Sequence, residues 1–316
     1  MTKQSNSRLE YQRRISQAVD YINENLFTDL PLEEVAAAAH FSKYHFHRVF
    51  RAITGEKCGE FIRRLRLEAV ANRLVFAPQQ DITSIALEYG FSSSQNLAKA
   101  FAKHFKSSPT KYRKQHSIKL QSNPGTTQSN FGNVLGNNGN AWSLSEAYTV
   151  NHTQSTDRSN AMNITLKELP DYHVAYIRRL GPYGPEISET FERLAQWAGP
   201  RELLANGQMI SAYWDNPEIT PPEKCRTDAC VTVAKEIKVQ GEIALQTLPG
   251  GKFAVYHVEL ADDEFEQAWK DLYHKWMPDS GFQPEDKPSM ELYYNNPEDH
   301  PEKKWVTDIC VPVKPL

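Results

Sequence analysis

Two groups of polar side chains at helical spacing carry the clearest chemical potential in this sequence. The first is Lys43, Tyr44, His47, Arg48 and Arg51, lying off an apolar stripe of Phe46, Val49 and Phe50. The second is Ser94, Gln95, Ala98, Lys99 and Lys103, off a stripe of Leu97, Ala100 and Phe101. Arginine can hold a guanine edge bidentately and glutamine an adenine edge, while lysine mainly neutralises phosphate. One such face alone reads equally well as solvated surface on a small helical bundle. Two copies in matched surroundings point to double-stranded DNA.

The surroundings match closely. Val35-Ala36 followed by His40-Phe41-Ser42 corresponds to Ile85-Ala86 followed by Gly90-Phe91-Ser92. After one inserted residue, Phe50 corresponds to Phe101. Each copy reads as a helix, a tight turn, a capping serine and a second helix, which is a helix-turn-helix. Ser42 and Ser92 are expected to accept hydrogen bonds from the free N–H groups that open the second helices. Gly90 supplies a left-handed turn without steric cost, and His40 takes that place in the first copy. An amphipathic helix around residues 60–75 connects the copies rigidly.

A different chemistry is suggested by Glu291. It lies in the apolar strand SMELYYN, and strand alternation puts Glu291 and Tyr293 on one face, with Met290, Leu292 and Tyr294 on the other. The strand belongs to an internal repeat with an 80-residue offset. Tyr213-Trp214-Asp215-Asn216-Pro217-Glu218 recurs as Tyr293-Tyr294-Asn295-Asn296-Pro297-Glu298, and Thr227-Asp228-Ala229-Cys230-Val231 recurs as Thr307-Asp308-Ile309-Cys310-Val311. Tyr176 and Tyr256 sit at the same offset. Where one copy has Glu291 the other has Ser211, beside Tyr213. Tyr183, Trp214, Trp276 and Phe282 are further aromatics near in sequence. A carboxylate among aromatic faces suits a lipophilic cation; the plainer reading is an exposed edge-strand glutamate.

These groups need two kinds of scaffold. Residues 8–116 read as helical, with apolar positions at helical spacing. Residues 117–160 are rich in Ser, Asn and Gly with no apolar period, and read as a flexible linker. From 161 to 316 the texture is mixed: each repeat reads strand, helix, strand, strand, and two such units pack pseudosymmetrically with a ligand cleft at their junction. The expected fold is therefore multidomain, an all-α domain with two helix-turn-helix units followed by an α+β domain of two repeats. Charge divides the same way. Residues 1–116 carry 18 Lys and Arg against 11 Asp and Glu, whereas residues 161–316 carry 16 against 26, so the first half alone suits a polyanion.

No stretch reads as a membrane span and the start lacks the apolar core of a signal peptide. The four cysteines, Cys58, Cys225, Cys230 and Cys310, form neither a disulfide framework nor a zinc pattern. A cytoplasmic, reduced protein is expected, without metal or cofactor. The second half has no nucleophile–base motif and no phosphate loop, and His173, His257, His274 and His300 are scattered.

The stretches LEEVAAAAHFSKYHFHRVFRAITGEKCGEFIRRLRLEAV and DITSIALEYGFSSSQNLAKAFAKHFKSSPTKYRK resemble the AraC family DNA-binding domain over residues 11–116. The resemblance implies seven helices, with recognition helices entering successive major grooves and base contacts at Tyr44, His47 and Arg48 and at Ser94, Gln95, Ala98 and Lys99. Two departures fall in turns: Cys58 where the family usually has Pro, and Lys106 where it usually has Gly. The stretches VAYIRRLGPYG, ETFERLAQWA, SGFQPEDKPSMELYYNNPE and TDICVPV resemble the GyrI-like small-molecule-binding domain over residues 162–314. That resemblance puts the family's central acid at Glu291. It implies a pocket between the two strand-helix-strand-strand units. Taken with the residue readings above, the expectation is a DNA-binding transcription regulator that senses a small, amphipathic cation and acts as a monomer, with RNA polymerase a further candidate partner. The alternative the resemblance raises is a hydrolase using Glu291 with Tyr213 or Tyr293, or a sequestering binder of toxic molecules.

Overall fold

The computed structural model describes residues 3–116 and 162–316, residue 185 excepted, without the side chains of residues 3–7 and of Tyr44. The segment read as a linker, 117–160, lies outside the described residues.

The amino-terminal part is seven helices: α1 Lys3–Glu24, α2 Leu32–Ala38, α3 Lys43–Thr54, α4 Cys58–Phe76, α5 Ile82–Glu88, α6 Ser94–Phe105 and α7 Pro109–His116. The α2–α3 and α5–α6 pairs close with the same turn. Phe41 N–H donates to the Ala36 carbonyl at 3.0 Å and Phe91 N–H to the Ala86 carbonyl at 2.8 Å. The left-handed residue is His40 in one turn (φ 53°) and Gly90 in the other (φ 75°). Glycine suits the second, where a side chain would be strained by the positive φ and its Cβ would press on the Phe27 carbonyl oxygen at 3.2 Å and the Arg66 guanidinium at 3.1 Å. The caps differ from expectation. Ser42 precedes α3 but makes no side-chain cap bond. At α6 the cap is Ser93, whose hydroxyl accepts from Asn96 N–H at 3.2 Å, while Ser92 instead accepts from the Asn96 side-chain amide at 2.6 Å. Lys106 does adopt the left-handed conformation that closes α6.

Each helix pair packs its own core, and α4 belongs to both. Its Cys58, Phe61 and Leu65 join Phe46 and Phe50, and its Leu67, Val70, Ala71 and Leu74 join Leu97 and Phe101. The apolar stripes of α3 and α6 are thereby turned inward and their polar faces outward.

The carboxy-terminal part runs β1 Ile164–Leu169, β2 Tyr172–Leu180, α8 Ile187–Ala198, α9 Leu203–Asn206, β3 Met209–Tyr213, β4 Arg226–Thr232, β5 Ala244–Leu248, β6 Gly251–Leu260, α10 Phe265–Lys270, β7 Phe282–Pro284, β8 Ser289–Tyr293 and β9 Trp305–Pro315. The helix of α10 continues as a π-helical turn over Asp271–Trp276. Among the described residues the strands form an antiparallel sheet in the order β1-β6-β9-β8-β3-β4-β2-β5, with β7 on β9. Each repeat is preceded by a strand that was not expected, and these two are exchanged: β1 edges the second unit and β5 edges the first; the second repeat also has the short β7.

The units meet at β3 and β8, where Ser211 stands directly across from Glu291. These two residues are equivalent in the repeat, so the pseudo-twofold axis passes between them. That accounts for the asymmetry in sequence. A second acid at 211 would set two buried carboxylates side by side, and like charges directly opposite are destabilising. The match of Tyr176 with Tyr256 fails. Tyr176 pairs with Cys230, and the residue that pairs with Cys310 is Val255. A one-residue slip in β6 sends Tyr256 to the opposite face, against Leu272 and Ile309.

Candidate functional site

On the outer faces of α3 and α6, Lys43, His47, Arg48 and Arg51, and Gln95, Lys99 and Lys103, are exposed. Ser94 and Ala98 are half-buried. Lys43 is paired with Glu33. The two polar faces thus both reach solvent, held by one shared helix, as a pair of recognition helices requires.

The second site is a cavity of about 2310 Å³. Glu291 reaches it from the middle of the sheet and is 2% exposed. Its Oε2 accepts from the hydroxyls of Tyr213 at 2.6 Å and Tyr293 at 2.5 Å, and its Oε1 from the Trp269 indole N–H at 2.6 Å. Both tyrosines converge on one acid because they are symmetry mates and it lies beside their axis. The rings enclose one another. Tyr213 meets Tyr183 edge-on at 4.9 Å and Trp269 at 5.7 Å, while Tyr293 meets Phe191 at 5.8 Å. Burial pushes the Glu291 carboxyl above its ordinary range, against the three donors that favour its charged form. No ion pair to Glu291 is made among the described residues.

The structure assembles Glu291, Tyr213, Tyr293 and Tyr183 as the sequence suggested. It does not bring Trp276 or Phe282 to the cavity; both pack into the core beneath α10. Trp214 borders the cavity but turns to the sheet's other face, where its N–H donates to Asp228 at 2.7 Å and its ring lies under Arg178 and Arg226. Strand parity carries this signal, since Trp214 follows Tyr213 directly. Trp269 and Phe191 were missed, being on helices whose seating over the sheet is a tertiary matter.

Also missed was the contact between the two parts of the chain. Asp228 is fully buried and accepts twice from Arg178 (2.7 and 2.6 Å) and once from Gln246 (2.7 Å), besides Trp214. Arg178 extends the cluster to Asp20 of α1 at 2.8 Å, which the Tyr176 hydroxyl also reaches. The second unit repeats the motif without a cover: Asp308 accepts from His257 at 2.6 Å and Tyr294 at 2.9 Å, and Lys167 lies 3.5 Å away. Along α4, Arg64 joins Glu56 and Glu68, and Glu68 accepts from the Thr220 hydroxyl at 3.0 Å.

These buried acids make the contact pH-sensitive. Burial above all, with help from Asp215 and against Arg64, lifts Glu68 to about 7. Burial likewise lifts Asp20 to about 6, against the charge of Arg178 and with help from that of Asp228. Both values exceed the ordinary carboxylate range, so the packed form binds protons more tightly than the separated one. The stabilisation is full below about pH 4 and is lost as pH rises through about 6 to 7. Hydrogen exchange on α1 and α4 is therefore expected to quicken between about pH 5 and about pH 8, beyond the intrinsic increase measured on α6. Equal pH dependence on all three helices would exclude the effect.

Among the described residues no His, Cys, Asp and Glu group could hold a metal ion, and no helix is long and apolar enough to cross a membrane. Two family models match the chain: the GyrI-like small molecule binding domain over residues 162–314 and a helix-turn-helix domain over residues 35–115. A DNA gyrase inhibitor of Serratia proteamaculans is 35% identical over 139 residues, 43% of this chain and 88% of that protein. The prophage protein YosT of Bacillus subtilis, whose name places it in transcriptional regulation, is 32% identical over 35% of this chain and 76% of its own length. Among solved structures, the EcmrR carboxy-terminal domain is 20% identical with a TM-score of 0.41, covering 50% of this chain and all of that one. The chain belongs to the family of GyrI-like small-molecule-binding domains and carries that domain behind an AraC-type helix-turn-helix DNA-binding domain.

Proposed function

We propose that this DNA-binding regulator senses an amphipathic organic cation, seated on Glu291 between Tyr213 and Tyr293. The observation that carries the reading is a buried carboxylate with three neutral donors and no ion-pair partner among the described residues. Its hydrogen bonds are satisfied while its charge is not, and a desolvated organic cation supplies the missing charge. The surrounding ring faces add cation–π attraction and accept the ligand's apolar body. Hydrolysis of a reactive ligand by the same acid and phenols is the rival reading.

The test has two stages. Duplexes bound by the full chain are first selected from random DNA. Their occupancy is then measured with and without a phenyl-substituted N-methylpyridinium ion, and with the neutral methylbiphenyl of the same shape. A response to the cation alone supports sensing. Equal response to both, or none, overturns it, and conversion of added electrophiles would favour the hydrolase.

On the DNA side, Arg48→Ala is expected to cost about 1–3 kcal/mol on the selected site and to relax one base preference. Lys103→Ala should weaken all sequences alike and flatten the salt dependence. Binding profiles of both variants across a sequence library decide it. An Arg48→Ala loss uniform over sequence would make Arg48 a phosphate contact.

A further inference from the structure

The GyrI-like domain does not line the cavity alone. Leu65, Glu68, Ala69, Asn72, Arg73 and Phe76 also line it, and their spacing of three and four residues marks one face of α4. Besides the Glu68–Thr220 bond, two contacts tie that face to the aromatic residues around Glu291 and to the loop after Tyr213. The Phe76 ring lies 6.5 Å from that of Tyr273, which stacks on Trp269 at 6.2 Å, and Trp269 donates to Glu291 at 2.6 Å. Asn216, in the loop after Tyr213, donates its side-chain amide to Asn72 at 2.8 Å. The π-helical turn places Tyr273 between the two domains, a local widening of a kind common at functional sites.

α4 is also the one helix shared by both cores of the DNA-binding domain. Its setting therefore governs how α3 and α6 stand relative to each other. We propose that the effector site is composite: α4 forms part of it, Phe76 and Asn72 help to select the ligand, and the cation and operator DNA are coupled through that helix. The inference rests on the cation reading above and adds the route by which the cation is felt. A ligand filling the aromatic cage displaces or tightens the Trp269–Tyr273–Phe76 ring contacts, and any difference in them between DNA-competent and other settings of α4 becomes a difference in ligand affinity.

The experiment uses the full chain, the phenyl-substituted N-methylpyridinium ion and a selected operator duplex. The affinity of each ligand is measured with and without the other. Linkage requires the two factors to be equal, and coupling of a useful size is about five-fold or more. Phe76→Ala is expected to weaken the cation several-fold and to bring the coupling factor toward unity. Phe76→Leu, which keeps an apolar contact, should restore part of both and covers the event that the alanine variant folds poorly. If Glu291→Gln abolishes cation binding but the duplex leaves cation affinity unchanged and both Phe76 variants bind as the parent does, the composite site is wrong and the cation reading stands. If the unaltered chain binds no cation, the cation reading falls and takes this inference with it.

Discussion

Glu291→Gln is expected to weaken the phenyl-substituted N-methylpyridinium ion by about 30-fold or more, the equivalent of ~2 kcal/mol, and the neutral methylbiphenyl far less. The substitution keeps the shape of the side chain and changes its charge. Glutamine can still accept from Tyr213 or Tyr293, whereas the cation loses a fully desolvated partner. Because burial lifts the Glu291 carboxyl above the ordinary range, the parent protein itself should lose cation affinity on acidification while methylbiphenyl affinity stays level. Calorimetric titration of both ligands against both proteins, across pH, measures all of this. Equal weakening of the two ligands would make Glu291 a hydrogen-bonding strut.

The largest expected loss of stability follows from the two equivalent aspartates. Asp228→Ala strands Arg178, which is 5% exposed, with Asp20 as its remaining acid, and frees the Trp214 and Gln246 donors in a dry interior. Breaking a buried pair in this way costs about 3–5 kcal/mol. Asp308→Ala removes the counterpart acid, yet its partners Lys167 and His257 are about half exposed (48% and 47%), and water replaces the lost bonds. That change should cost about 1 kcal/mol. Urea unfolding of the full chain separates the two. Equal costs would show that the cover provided by α1 contributes nothing.

The helical half was legible because polar and apolar residues separate by spacing alone, and because its two copies repeat turn by turn. A cap one residue away, Ser93 for Ser92, depends on where the chain turns and is invisible to spacing. In the sheet, β1 and β5 escaped notice for a physical reason. β1 is largely exposed at an edge and lacks an apolar alternation, and β5 contributes five residues before a Pro-Gly-Gly turn. Glu291, Tyr213 and Tyr293 were found because a period of two and the repeat agree at those positions. Trp276 and Phe282 were drawn in by proximity in sequence, which says nothing of which side of α10 faces the cavity. Arg64 and Glu68 carried a readable signal: charges four residues apart inside an apolar stripe seldom face water.

The axis between Ser211 and Glu291 has a consequence for how ligands are discriminated. A flat cation seated there meets a tyrosine on either flank, and meets much the same pair after a half-turn. Two equivalent poses add about 0.4 kcal/mol of favourable entropy, RT ln 2, to any ligand able to use both. If the proposed cation is the effector, such a pocket would score charge and breadth more strongly than outline, and chemically unrelated cations are expected to bind with similar affinity. Discrimination among them then rests on what breaks the symmetry, chiefly the indole N–H of Trp269 beside Tyr213 where Phe191 stands beside Tyr293.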